Sequence, residues 1–153
     1  MSAARDEAFA ALTAKIPYIK FLGVHFQRRG DEVTAQLSYA PHLIGNPMLP
    51  ALHGGATGAF LEITALTSLS WIAALEQIGE TETWDGQFAP QPKTVDFSID
   101  YLRSGKPQDA YARALILRRG RRVANVRVEA WQEERSKPFV AAHGHFLLPQ
   151  QGG

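Results

Sequence analysis

The pattern of apolar positions along this chain changes character between its middle and its C-terminal part. From Gly54 to about Ile78 the residues are small or apolar nearly all round, and Glu62 is the only Asp, Glu, Lys or Arg between Glu32 and Glu76. Such a stretch predicts one long helix buried on most sides. From Thr94 the period falls to two: Val95, Phe97, Ile99 and Tyr101 alternate with Thr94, Asp96, Ser98 and Asp100, the pattern of a half-buried strand. Further strands are predicted over Ala110–Leu117, Val123–Trp131 and Phe139–Leu148, with turns at Gly120 and across 133–138.

Upstream of the helix, Ala4–Ala14 predicts a short amphipathic helix carrying Phe9 and Leu12 and stopped by Pro17. Val24–Arg28 and Val33–Tyr39 read as a hairpin around Arg29-Gly30-Asp31. Ala40–Leu52, with Pro41, Gly45, Pro47 and Pro50, reads as irregular chain that delivers the backbone to His53. Gly79 is expected to cap the long helix. Glu80–Pro92, carrying Trp84 and Phe88, is long enough to serve as a lid or pocket wall. The order is a hairpin, a buried helix and a four-stranded antiparallel meander. It predicts an α+β architecture in which one sheet wraps around one helix and each buries the other's apolar face. No repeat or linker divides the chain, so residues 1–153 are expected to form a single domain with its core at about 22–148.

Composition narrows the partners. With 153 residues, 45% of them hydrophobic and 20% charged, the chain is long enough for a sizeable core and has the balance of a soluble protein. A net charge of +1 gives no reason to expect nucleic acid or an anionic membrane as the main partner. The absence of cysteine excludes disulfides, thiolate catalysis and cysteine-based metal sites, and it suits a cytoplasmic address. Met1–Glu7 is charged early and is not expected to be a signal peptide. Ala56–Leu75 holds Thr57, Glu62, Thr64, Thr67, Ser68 and Ser70, and reads as a buried helix and not a membrane span. Residues 150–153 are expected to fray.

The candidate chemistry starts at Glu62. A lone carboxylate in apolar surroundings is costly to bury unless it is paired, neutralised or used. Nine residues earlier, His53-Gly54-Gly55 stands at the predicted helix start. A helix N-terminus offers unpaired N–H groups and a partial positive charge, both suited to a developing oxyanion. Leu52-His53-Gly54-Gly55, Glu62, the strand Val95–Arg103 and the basic hairpin Arg119-Gly120-Arg121-Arg122-Val123-Ala124 together resemble the hotdog-fold acyl-CoA thioesterases of the phenylacetate-degradation (PaaI-like) type, over roughly Leu22–Leu148. The resemblance implies hydrolysis of an acyl-CoA thioester to free acid and coenzyme A. No cofactor is implied beyond the coenzyme A carried by the substrate. Glu62 is implied as general base or nucleophile, the Gly54 amide as main oxyanion donor and Gly55 as its helper. Asn46 is implied to orient the carbonyl or water, and Thr94 to hold the acid or its water. His53 is expected to hold the loop through hydrogen bonds. Arg119, Arg121 and Arg122 surround a hairpin tip where charge-assisted bonds to coenzyme A phosphates could form. Two departures stand out: the family often carries Asp at the Glu62 position, and the loop before the central strand is longer here.

Helix geometry adds a demand of its own. Nine positions from His53 to Glu62 rotate by about 180° and rise by about 13 Å, so one helix cannot bring its N-terminus and its acid to one carbonyl. Two antiparallel helices across a two-fold axis can, each lending its N-terminus to the other's acid. A homodimer with composite sites is therefore expected, with a dimer of dimers (a homotetramer) left open. Two other readings stand beside the thioesterase. One is a hotdog hydroxyacyl dehydratase or hydratase, echoed by His42, Pro50 and Glu62; the other is a non-catalytic acyl-CoA binding protein. His143 and His145 share a strand face without a third convincing ligand, so no metal site is expected. Phe60, Trp71, Trp84 and Phe88 are candidates for an aromatic or long-chain acyl pocket, or for core.

Overall fold

The computed structural model describes residues 3–150, so the last three positions of the tail expected to fray lie outside the described residues. Two helices lead into the sheet. α1 is Ala3–Ala14 and α2 is Pro17–Leu22. Pro17 ends the first, as expected, and also starts the second. Its missing N–H is one that a first helical turn leaves unpaired, so proline suits that position. Gly23, at φ 84°, closes α2.

The predicted hairpin forms as β1 (Val24–Arg29) and β2 (Glu32–Leu37), with Arg29 opposite Glu32 and Gly30-Asp31 as the turn. The segment expected to be irregular is not wholly so. After a 3-10 turn at Pro41–Leu43 it makes two short strands, β3 (Ile44–Asn46) and β4 (Ala51–Leu52). Ile44 pairs with Leu52, and Pro47 and Pro50 fall in the connection between the strands, where no ladder donor is needed. The His53 N–H then donates to the Leu43 carbonyl at 2.8 Å, so the chain enters the long helix from a fixed position.

That helix, α3, spans Gly54–Ile78 and ends as predicted at Gly79, whose N–H donates to Leu75 O at 2.9 Å. By length and composition α3 could cross a membrane, yet its buried residues face a protein core. The remaining strands are β5 (Lys93–Tyr101), β6 (Ala110–Arg119), β7 (Val123–Trp131) and β8 (Val140–Leu147). Their order corrects the expected meander. The six-stranded antiparallel sheet runs β1-β2-β6-β7-β8-β5, so β5 lies beside β8 and forms a free edge. β6-β7-β8 is a true meander, whereas the chain after β5 crosses the sheet to reach β6. Along the way the Leu102 and Arg103 N–H groups both donate to Phe139 O, prolonging the β5–β8 contact.

The inward set of β5 also differs from strict alternation. A bulge between Thr94 and Asp96 turns Val95 outward, 62% exposed, and leaves Thr94, Phe97 and Ile99 half-buried toward the helix. The sheet closes on α3 around Phe60, Leu61, Val126, Val128 and Phe146. A second cluster seats Ala8 and Leu12 of α1 on Trp71, Ala74 and Ile78. Phe60 and Trp71 are therefore core.

Candidate active site

The first turn of α3 is built by residues without side chains. His53 is the N-cap, and its Nδ1 accepts the Gly55 N–H at 2.9 Å. That bond requires an unprotonated Nδ1, so the cap holds the ring as the tautomer with its proton on Nε2. His53 O accepts the Thr57 N–H. The Gly54 and Ala56 N–H groups carry no hydrogen bond among the described residues. The two glycines are thus unequal: the Gly54 amide is open, while the Gly55 amide serves the cap. Gly45 makes room for this arrangement, since a Cβ there would stand 2.7 Å from His53 Cα.

Tyr101, read from the sequence only as an inward strand residue, is part of the same turn. Its hydroxyl donates to Gly54 O at 2.7 Å, and Thr57 Oγ1 donates to the same oxygen at 3.0 Å. A Cβ on Gly54 would lie 3.1 Å from the Tyr101 hydroxyl, and one on Gly58 would lie 2.8 Å from Ile99 Cδ1. Glycines at i and i+4 thus let the end of β5 lie against the helix. That spacing was the signal available in the sequence.

Glu62 is half-buried and has neither a hydrogen bond nor an ion pair among the described residues. It stands eight positions after Gly54, a rise of about 12 Å. Thr94 is half-buried on β5 opposite Phe146 and makes no side-chain hydrogen bond among the described residues. Asn46 is exposed, and its Oδ1 accepts the Met48 N–H at 3.0 Å, which turns the chain between β3 and β4 and leaves its amide nitrogen outward. One protomer therefore gathers His53, Gly54, Gly55 and Tyr101 at one helix end, with Glu62 on the body of the helix.

The arginine hairpin lies at the other end of α3. Arg119 holds Glu76 through two bonds, at 2.5 and 2.7 Å. The guanidinium keeps the Glu76 carboxyl below the usual carboxylate range, and the bond to Glu76 pushes the Arg119 pKa up in turn. Arg121 and Arg122 are exposed, without such a partner among the described residues. The hairpin borders a cavity of about 1490 Å³ whose walls include Leu69, Ser70 and Ala73 of α3, Ile16 at the α1–α2 junction, and Phe88–Pro92. The loop suspected as a pocket wall is one, with Trp84 packed on Phe88 at 5.0 Å. On the outer sheet face, His145 is engaged by Asp96 at 2.9 Å, and that bond holds the Asp96 carboxyl below its usual range.

Residues 49–139, more than half of the chain, match the family model described as the thioesterase superfamily. The chain belongs to the thioesterase superfamily. Among its relatives is the medium/long-chain acyl-CoA thioesterase YigI of Escherichia coli K12, 33% identical over 123 residues, which cover 78% of this chain and 77% of YigI. A crystal structure of a Chromobacterium violaceum protein is 37% identical, with a TM-score of 0.68 over 97% of this chain and 95% of that one. The PaaI protein from the phenylacetic acid degradation operon of E. coli is 14% identical and shares the fold, with a TM-score of 0.74 over 99% and 96% of the two chains. The antiparallel sheet around one long helix is the hotdog fold of this superfamily. The protein is accordingly a thioester hydrolase, and the dehydratase and non-catalytic readings give way. His42, which the dehydratase reading needed, packs its ring 6.0 Å from Phe21.

Proposed function

We propose that this thioesterase hydrolyses acyl-CoA thioesters to the free acid and coenzyme A, using Glu62 and the open amide of Gly54. One observation carries the reading: among the described residues, neither the Gly54 amide at the start of α3 nor the half-buried Glu62 carboxylate on it has a partner. The thioester carbonyl oxygen gains charge against the Gly54 N–H and the positive end of α3. With Glu62 as general base, water forms the new C–O bond while its proton passes to the carboxylate. The C–S bond then breaks, and the coenzyme A thiolate leaves with that proton. With Glu62 as nucleophile, an anhydride forms first and water cleaves it. Neither route calls for a cofactor; coenzyme A enters only as part of the substrate.

The rise of about 12 Å between Gly54 and Glu62 supports a homodimer in which each α3 supplies its N-terminus to the other's acid. The free edge of β5 supports that assembly, because an unpaired strand edge is a template for a second one. Asn46 and Thr94 are the candidate positioning groups, and His53 supports the turn as its cap. Gly55 assists through that cap. Arg121 and Arg122, without an ion-pair partner among the described residues, are the cations offered to the coenzyme A phosphates, and Arg119 joins them by releasing Glu76.

The test is a panel of acyl-CoA esters, short, medium, long and aryl, followed by free thiol release. Wild type is expected to turn over part of the panel, and Glu62→Gln to lose at least about 100-fold in kcat. No turnover of any ester, or full activity in Glu62→Gln, would sink the reading. Single turnover in heavy-oxygen water tests the nucleophile route, since label in Glu62 requires an anhydride that water cleaves at the Glu62 carbonyl carbon.

A further inference from the structure

We infer that the cleft where β2 and β6 part is a second binding site, and that it takes a small carboxylate with an apolar body. The two strands pair only where Ala35, Gln36 and Leu37 face Ala112, Tyr111 and Ala110. Residues 32–34 of β2 and 113–119 of β6 have no ladder between them. Arg113 spans the parting: its Nε donates to Thr34 Oγ1 at 2.8 Å, and its guanidinium pairs with Glu32. A cavity of about 360 Å³ lies there and reaches α3 through the opening, lined by Trp71 and Ile72 together with Val33 and Ile116. That volume stands at the small end of the roughly 300–1,000 Å³ of ordinary ligand pockets. The site is separate from the one proposed around Glu62. Trp71 follows Glu62 by nine positions, about two and a half turns, so the cavity meets the opposite side of the helix.

What this cavity lacks is an acceptor. Trp71 is 1% exposed, and its Nε1–H has no acceptor among the described residues, although a buried indole N–H usually finds one. Each acid that lines the cavity is already held: Asp31 by Arg5, Glu32 by Arg113 and Glu129 by Arg127. Arg135, at the mouth, has no acid partner among the described residues. Its guanidinium lies 5.5 Å from the centre of the Trp131 ring, and Trp131 in turn stacks with Tyr111 at 6.2 Å. An arginine laid on an aromatic face keeps its planar fork of donors ready for a carboxylate. The balance of charge at the mouth therefore leaves one cation over, which calls for a monoanion. Trp71 adds a second donor without a partner, and a carboxylate has two oxygens to offer. Val33, Ile72 and Ile116 receive the apolar body. Free acids are also what thioester hydrolysis releases, but binding in this cavity does not depend on that reaction.

The chain has three tryptophans, so the indole N–H signals of isotope-labelled protein are few, and Trp84→Phe and Trp131→Phe assign that of Trp71. Sodium octanoate and sodium benzoate are titrated in separately, at an ionic strength held constant with sodium chloride. At least one is expected to move the Trp71 signal downfield until it saturates, and the tighter of the two tells whether the body accepted is aliphatic or aryl. Arg135→Gln is expected to raise the half-saturating concentration about tenfold, the order of losing one charge-assisted bond. Lys137→Gln, on the same exposed turn, is expected to leave it unchanged. A Trp71 signal that neither acid moves, or that chloride moves equally, overturns the inference. So does a half-saturating concentration in Arg135→Gln equal to that of wild type, because the acid would then bind elsewhere.

Discussion

At the scale of single residues, the first turn of α3 depends on what its glycines leave out. Gly54 and Gly58 remove the atoms that would keep Tyr101 and Ile99 away, and the space lets a strand hydroxyl reach Gly54 O at 2.7 Å. The peptide group that accepts this bond carries the Gly55 N–H on its other side, so Tyr101 polarises the donor that binds His53 Nδ1. Tyr101→Phe keeps the ring and removes the bond. Stability is expected to fall by about 1 kcal/mol, the usual worth of such a bond, and kcat to fall with KM held, because the turn that presents the Gly54 amide is loosened. Denaturant unfolding and steady-state kinetics of the one variant check both; wild-type values in each would make the bond idle. Glu62, His53 and the two glycines were legible in the sequence because composition isolates them. Tyr101 was not, because its partner is 47 residues away and strand alternation gives a side chain's face without its contact.

Elements were legible where a local pattern marks them, and illegible where a neighbour decides. α3 follows from its unbroken run of small and apolar residues, and the three strands of the β6-β7-β8 meander from their lengths and the turns between them. The placement of β5 does not, because alternation of apolar positions is the same beside β8 as beside β6. Its bulge is likewise set from outside. Gly144 of β8 stands opposite Phe97, and a Cβ there would lie 2.4 Å from Asp96 O, so the bulged strand occupies the space of the missing side chain. β3 and β4 were hidden by prolines that lie between them. The same reasoning gives an expectation for Gly144→Ala. The clash is with backbone, which cannot swing aside, so a loss of about 1–3 kcal/mol is expected. Hydrogen exchange should rise first along Lys93–Tyr101; protection there equal to wild type would mean that the bulge tolerates a methyl group.

At the scale of the whole molecule, the two groups proposed to carry the chemistry stand apart within one protomer. Gly54 and Glu62 lie about 12 Å apart along a straight helix, and no loop movement shortens α3 between them. A second subunit solves the problem only if it is antiparallel, and that arrangement makes a mixed-subunit experiment decisive. Glu62→Gln removes the acid and keeps the amide. Gly54→Pro removes the amide and keeps the acid; proline suits the first position of a helix, and a melting curve checks the crowding against Tyr101. Each variant alone is expected to be nearly inactive. After joint unfolding and refolding, half of the dimers are mixed, and each mixed dimer has one site with both Gly54 and Glu62 intact. About a quarter of the wild-type rate is therefore expected from the refolded mixture, following the pairing statistics of a two-fold dimer. No recovery, with mixed dimers present on a native gel, would place both groups of a working site on one chain and end the composite-site account. Recovery would make the dimer the smallest catalytic unit, with the long helix acting as the spacer that aligns each acid with its neighbour's amide.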